Sequence, residues 1–217
     1  MRVLAVFAHP DDAELACGGT LARHADDGDW VTCLFLSYGV GARSDWNQEQ
    51  QEIVRRDAAK AAMQVIGVNH WGIENTPDQR FEDDGLLWLS RKISVSAVEP
   101  DIVYTHWIGD LNHDHELTAR AVLTAFRPTG NGPKQILMGE VNSSSEWTTG
   151  KAFHPNVFKD IGKTLVRKLD ALKCYSEEMR EYPHPRSEKA IKARAMVRGS
   201  ECGLEYAEAF ELVRSIE

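Results

Sequence analysis

Two apolar runs of strand length open the chain. Residues 3–8 (Val-Leu-Ala-Val-Phe-Ala) and 31–37 (Val-Thr-Cys-Leu-Phe-Leu-Ser) lack the alternation of a half-exposed strand, so each predicts a strand buried on both faces. Between them, a stretch reaching to about residue 27 reads as helical and is punctuated by Gly18-Gly19. Residues 48–66 carry no Gly or Pro and place Ile53, Ala61 and Val65 near helical spacing, which predicts a helix. A short strand follows over 69–73, then a helix over 86–98 closed by Pro100. A fourth strand over 101–105 leads into a helix over 117–126 that stops before Pro128, and a fifth strand covers 135–141. The remainder predicts helices near 158–172, 188–197 and 206–213.

Strands that alternate with helices imply a mostly parallel sheet with helices on both faces, an α/β Rossmann-like three-layer fold. In such sheets, sites form beyond the carboxyl ends of the strands. A length of 217 residues with no linker, repeat or low-complexity segment predicts a single domain over 1–217. Hydrophobic residues at 42% and charged residues at 27% are ordinary for a globular chain. The net charge of −8 argues against nucleic-acid binding, although a local pocket can still be basic. No run approaches the roughly 18 apolar residues of a membrane span, and the first apolar run is too short for a signal-peptide core. Cys17, Cys33, Cys174 and Cys202 form no CxxC pair and read as free thiols in a reducing cytoplasm. A homo-oligomer is left open.

The chemistry gathers at two of the predicted strand ends. His9-Pro10-Asp11-Asp12 follows the first strand, and His113-Asp114-His115 follows the fourth. A borderline divalent cation takes imidazole and carboxylate together, and three protein ligands leave room for water. His9 and Asp12 from one loop with His115 from the other supply that set. Asp11 is left beside it as a general base. The competing reading, an Asp that merely caps the next helix, explains one carboxylate but neither the second nor the preceding histidine. Zinc fits the ligand types, and other first-row divalents fit a mixed N/O set too.

These residues carry a family resemblance. Ala8-His9-Pro10-Asp11-Asp12-Ala13-Glu14 with Gly18-Gly19-Thr20 resembles the signature of the PIG-L (LmbE-like) deacetylases. The segment from Thr105 to His115 is similar to that family's second metal-binding segment, and Arg198-Gly199-Ser200 and the run from Tyr206 to Phe210 are similar to family segments as well. The resemblance implies His9, Asp12 and His115 as ligands, Asp11 as the base, and hydrolysis of an N-acyl group, usually acetyl, from a small amino-sugar substrate. That reaction would serve polysaccharide, glycoconjugate or natural-product synthesis. Many members place a histidine three residues before the ligand histidine to stabilise the oxyanion, and here that position is Asn112. Asn112 can donate a hydrogen bond without carrying charge, so the oxyanion role stays open among Asn112, His113 and His106. Asp114 could orient a neighbouring histidine from behind, and Asp110 reads equally as a turn or a site residue.

Further candidates lie outside the two clusters. Arg43, in the Gly-rich loop after the second strand, is expected to bind substrate. His184 and Arg186, in a His-Pro-Arg-Ser loop, suit delivery of a donor or cation to the mouth of the site. Trp30, Trp71 and Trp88 read as core, whereas Trp107 and Trp147 could stack on a sugar ring. Residues 142–146 (Asn-Ser-Ser-Ser-Glu) could face a polyol or form an ordinary polar loop. There is no GxGxxG, Walker A or Gly-x-Ser-x-Gly pattern, so nucleotide binding and serine-hydrolase chemistry lack support. The rivals that remain are metal-dependent hydrolysis of another bond and a non-catalytic carbohydrate-binding protein on the same fold.

Overall fold

The computed structural model describes residues 1–41, 47–96, 99–130 and 132–217. Its centre is β1 (Arg2–Phe7), flanked by β2 (Trp30–Phe35) and β4 (Ile102–His106), with which it pairs in parallel. Val3, Ala5 and Phe7 of β1 point into one core layer while Leu4, Val6 and the following Ala8 point into the other. This explains the unbroken apolar run, because a central parallel strand has no solvated face. Outside these three lie β3 (His70–Ile73) beside β2 and β5 (Gln135–Gly139) beside β4, both parallel. One face is covered by α1 (Asp12–Asp26), α2 (Gln48–Ile66) and α5 (Leu165–Lys173), with Ile191 and Ala195 of α6 (Glu188–Ser200) joining the same core. The other face is covered by α3 (Phe81–Ser96) and α4 (His113–Ala125).

The far edge corrects the sequence reading. Residues 158–160 and 207–213, predicted helical, lie instead in the strands β6 (Val157–Asp160) and β7 (Ala207–Ser215). β7 pairs antiparallel with both β5 and β6, which completes the order β3-β2-β1-β4-β5-β7-β6. The Ala- and Glu-rich composition of β7 favours a helix locally, but its first four residues, Ala207 to Phe210, are all buried between the two ladders, and those ladders decide the outcome. Glu208 accepts the Gly19 and Thr20 N–H groups at 2.9 and 2.7 Å and the Lys168 ammonium at 2.6 Å. Those donors are exposed because α1 breaks at Cys17 (φ −144°), where a second helical N-terminus attracts the carboxylate. Gly19 permits this approach, since a Cβ there would lie 2.8 Å from the Ile161 side chain. Trp30 and Trp88, expected in the core, are 57% and 52% exposed, and Trp107 is buried instead. Trp30 is the first residue of β2, opposite the exposed Arg2 and ahead of the buried stretch, and Trp88 adjoins the exposed Leu87 on α3. Among the described residues no helix is long and apolar enough to cross a membrane.

Candidate active site

Strand order reverses at β1 and β4: successive strands leave β1 towards β2 on one side and β4 lies on the other. Such a crevice is where open α/β sheets build their sites. The loop after β1 carries His9 and Asp11, and α1 begins at Asp12. The loop after β4 ends at Asn112, whose side-chain oxygen accepts the Asp114 N–H at 2.9 Å and starts α4 there. Asp114 and His115 therefore occupy its first turn, directed back over β1.

His9, Asp12 and His115 are buried and bring their donor atoms within 4.8 Å of one another. Asp12 Oδ2 lies 3.2 Å from His9 Nδ1 and 3.3 Å from His115 Nε2. Each ring is held from behind. His115 Nδ1 is 3.1 Å from Asp110 Oδ1, and His9 Nε2 is 3.2 Å from Asp114 Oδ2 and 3.0 Å from Asp78 Oδ1. A carboxylate behind an imidazole keeps the ring hydrogen on its own side, which turns the other nitrogen's lone pair to the centre. Gly39 lets the next loop lie against His9; its φ is +68°, and a Cβ would stand 3.0 Å from the His9 Cβ.

The electrostatics of the metal-free chain point the same way. Burial would lower the His115 pKa, yet Asp12 and Asp110 outweigh it and raise it to about 9. His9 is likewise raised against burial, chiefly by Asp114 and Asp12. Burial would raise Asp12, but His115 and His9 hold it well below the carboxylate range. The carboxylates thus draw positive charge into a space bounded by two nitrogens and an oxygen. That donor set fits a divalent cation, which would replace the protons.

Asp11 lies outside this set. It takes a left-handed conformation (φ 99°), tolerated by Asp better than by most residues, and lines a cavity of about 260 Å³ with His9, Asn112 and His115. Its Oδ2 accepts from Arg186 Nη1 at 2.9 Å and Arg55 Nη2 at 3.4 Å. Its buried Oδ1 has no hydrogen-bond partner among the described residues. Glu178 joins the two arginines, 2.7 Å from Arg55 and 2.9 Å from Arg186.

The sequence-derived candidates separate clearly. Asn112 and Arg186 line the cavity with His9 and His115, and Asp114 stands behind His9. His184 instead accepts the Arg186 N–H at 3.1 Å through Nδ1 and contacts the Trp147 ring, so it shapes the Arg186 loop. His113 has a side chain 57% exposed and faces Glu82 and Glu116 on the surface. His106 is buried beneath the cluster, accepts the Ala8 N–H at 2.9 Å, and is kept neutral by burial and by His115. Arg43 lies outside the described residues. Sequence reasoning missed Arg55, Asp78, Gln79 and Glu178. Asp78 follows β3 at the carboxyl edge and could have been found by that rule; Arg55 lies in mid-helix, and Glu178 lies beyond α5.

Comparison with known proteins identifies the family. A diacetylchitobiose deacetylase of Thermococcus kodakarensis is 24% identical over 224 residues, covering 99% of this chain and 84% of its own. A 4-oxalmesaconate hydratase of Pseudomonas putida is 27% identical over 203 residues, covering 82% and 75%. In fold, the chain matches the conserved protein TT1542 of Thermus thermophilus with a TM-score of 0.79 at 24% identity, over 99% of this chain and 96% of that one. The family profile for PIG-L, described as GlcNAc-PI de-N-acetylase, matches residues 4–126. That match spans more than half of the chain and includes both histidine clusters, so the chain belongs to the PIG-L family.

Proposed function

We propose that this protein is a zinc-dependent N-deacetylase of a small amino-sugar substrate. One observation carries the reading: two imidazoles, each backed by a carboxylate, converge with Asp12 while the adjacent Asp11 faces the cavity outside the ligand set. Held by His9, Asp12 and His115, a divalent cation would activate a water and polarise the acyl oxygen. Zinc suits the two imidazoles and one carboxylate. Asp11 acts as general base. The two arginines fix its Oδ2, which leaves Oδ1 to take a proton from the attacking water and return it to the departing amine. Asn112 uses its oxygen for the helix cap, so what it offers the cavity is N–H, a donor for the developing oxyanion. Arg186 orients Asp11 and lines the cavity, where it would meet substrate polar groups; a substrate-binding role for Arg43 rests on the sequence alone.

The test is acetate release from N-acetylglucosamine, N,N′-diacetylchitobiose and N-acetylglucosaminyl conjugates, with and without chelator. Chelator-sensitive acetate release is the expected result. The hydratase relative supports one rival, addition of water to a conjugated unsaturated acid by the same set of groups. Loss of ultraviolet absorbance from such an acid, with no acetate from any sugar, would replace the deacetylase reading.

A further inference from the structure

The run Ser143-Ser144-Ser145 follows β5, and the parallel pairing of β4 with β5 sets it beside the loop that carries Asp110. Its serines do not present a shared face to a ligand. Ser144 and Ser145 are 6% and 4% exposed and both donate to Asp110, Ser144 to Oδ1 and Ser145 to Oδ2. Ser145 Oγ also accepts the Val141 N–H at 2.8 Å, which commits its own hydrogen to Asp110. Asp110 Oδ1 further accepts the Asn112 N–H at 2.9 Å and meets His115 Nδ1 at 3.1 Å. Both oxygens of Asp110 are therefore fixed, and with them the plane that aims His115. Ser143 turns the other way and accepts from Arg186 Nε at 2.7 Å, while Nη1 of the same arginine holds Asp11.

We propose that these three serines are positioning residues with divided work: Ser144 and Ser145 aim the metal-ligating face of His115 through Asp110, and Ser143 aims the base Asp11 through Arg186. The inference rests on the ligand and base roles proposed above. A ligand's supporting partners commonly change metal affinity by about 10- to 100-fold. Without Ser143 the Arg186 guanidinium keeps its ion pairs to Asp11 and Glu178, so loss of this one bond changes a rate by about 2- to 10-fold, the scale of a single ordinary hydrogen bond. The two halves of the run therefore differ in what they affect as well as in size.

The experiment measures metal affinity by competition with a chromophoric chelator, and kcat on the substrate found above, for two variants. Ser144→Ala/Ser145→Ala is expected to weaken metal binding about 10- to 100-fold. Ser143→Gly, compatible with the positive φ of 70° at that position, is expected to keep parental metal affinity and lose about 2- to 10-fold in kcat. In an Asp110→Asn background the two alanines should add less than about twofold to the loss of affinity, since residues acting through one partner are not additive. Should the double variant fail to melt cooperatively without metal, Ser144→Ala and Ser145→Ala are measured singly. Metal affinity within about twofold of the parent, while His115→Ala has lost its metal, overturns the brace. Full additivity with Asp110→Asn overturns it as well. Metal retained by His115→Ala would instead overturn the ligand assignment beneath it.

Discussion

The floor and the rim of the cavity are built in different ways. The floor consists of His9, Asp12 and His115 with Asp110, Asp114 and His106, all nine-tenths or more buried, delivered by two short loops at the ends of neighbouring strands. Its charges are few and densely shared: Asp12 Oδ2 alone lies within 3.5 Å of three imidazole nitrogens. The rim consists of Asp11, Arg55, Glu178 and Arg186, drawn from three regions of the chain and joined by ion pairs. Arg186 is 19% exposed in its side chain, more open than any floor residue. A buried, mutually polarised floor suits fixed coordination, because breaking one partner strands the others. A rim held by ion pairs, with Asp11 as buried as the floor but lining the cavity and Arg186 opening towards solvent, suits proton transfer and contact with substrate.

That contrast can be broken at either end. The largest effect is expected at the floor: His115→Ala should weaken metal binding by more than the roughly 100-fold typical of a lost supporting partner and abolish turnover with it. Elemental analysis after dialysis checks the first claim and acetate release the second. At the rim, Arg186→Ala should leave metal content unchanged and lower kcat about 10- to 100-fold, the scale of a hydrogen bond to a charged group. Metal loss in that variant would show that floor and rim are one unit.

The smallest effect on turnover is expected beneath both layers, at Glu14. Burial pushes this carboxyl up to about 8, with Tyr175 donating to it at 2.6 Å. Between its ordinary value near 4.5 and about 8, the folded chain holds a proton that the unfolded chain has released. The stability of the parent should therefore fall as pH rises through that window. Glu14→Gln cannot ionise, so its stability relative to the parent should grow from pH 5 to pH 8, by at most about 4 kcal/mol. Urea unfolding at the two pH values reads this directly, and a constant difference would show that Glu14 is ionised throughout.

The floor was legible in the sequence because each half of it is contiguous. A buried strand followed by His-Pro-Asp-Asp, and another followed by Asn-His-Asp-His, announce both the residues and their place at the carboxyl edge. The rim was not, because Arg55 and Glu178 meet only through packing of α2 against the segment after α5. Arg186 was found through its loop composition, while its partner Asp11 lies 175 positions away. The parallel half of the sheet was equally clear, since strands buried on both faces leave unbroken apolar runs. β6 and β7 were misread because an edge pair needs no such run: Glu208 lies in a strand, buried by a lysine and two backbone N–H groups that no local pattern reveals. The serine run could be read from sequence as facing a polyol or as an ordinary polar loop, because the inward hydrogen bond of Ser144 depends on Asp110, thirty-four positions away.

The division between floor and rim is sharpest at two adjacent residues of the same type. Asp12 joins the imidazoles, and Asp11 joins the arginines. Asp11→Asn preserves size but cannot accept a proton, while Asp12→Ala removes a ligand. Metal content and kcat measured together on this pair test the account most directly. The account predicts that Asp11→Asn keeps its metal and loses roughly 10²- to 10⁴-fold in kcat, the usual contribution of a positioned acid–base group, while Asp12→Ala loses its metal. Turnover of Asp11→Asn within a few-fold of the parent, or metal lost from Asp11→Asn and kept by Asp12→Ala, would contradict it.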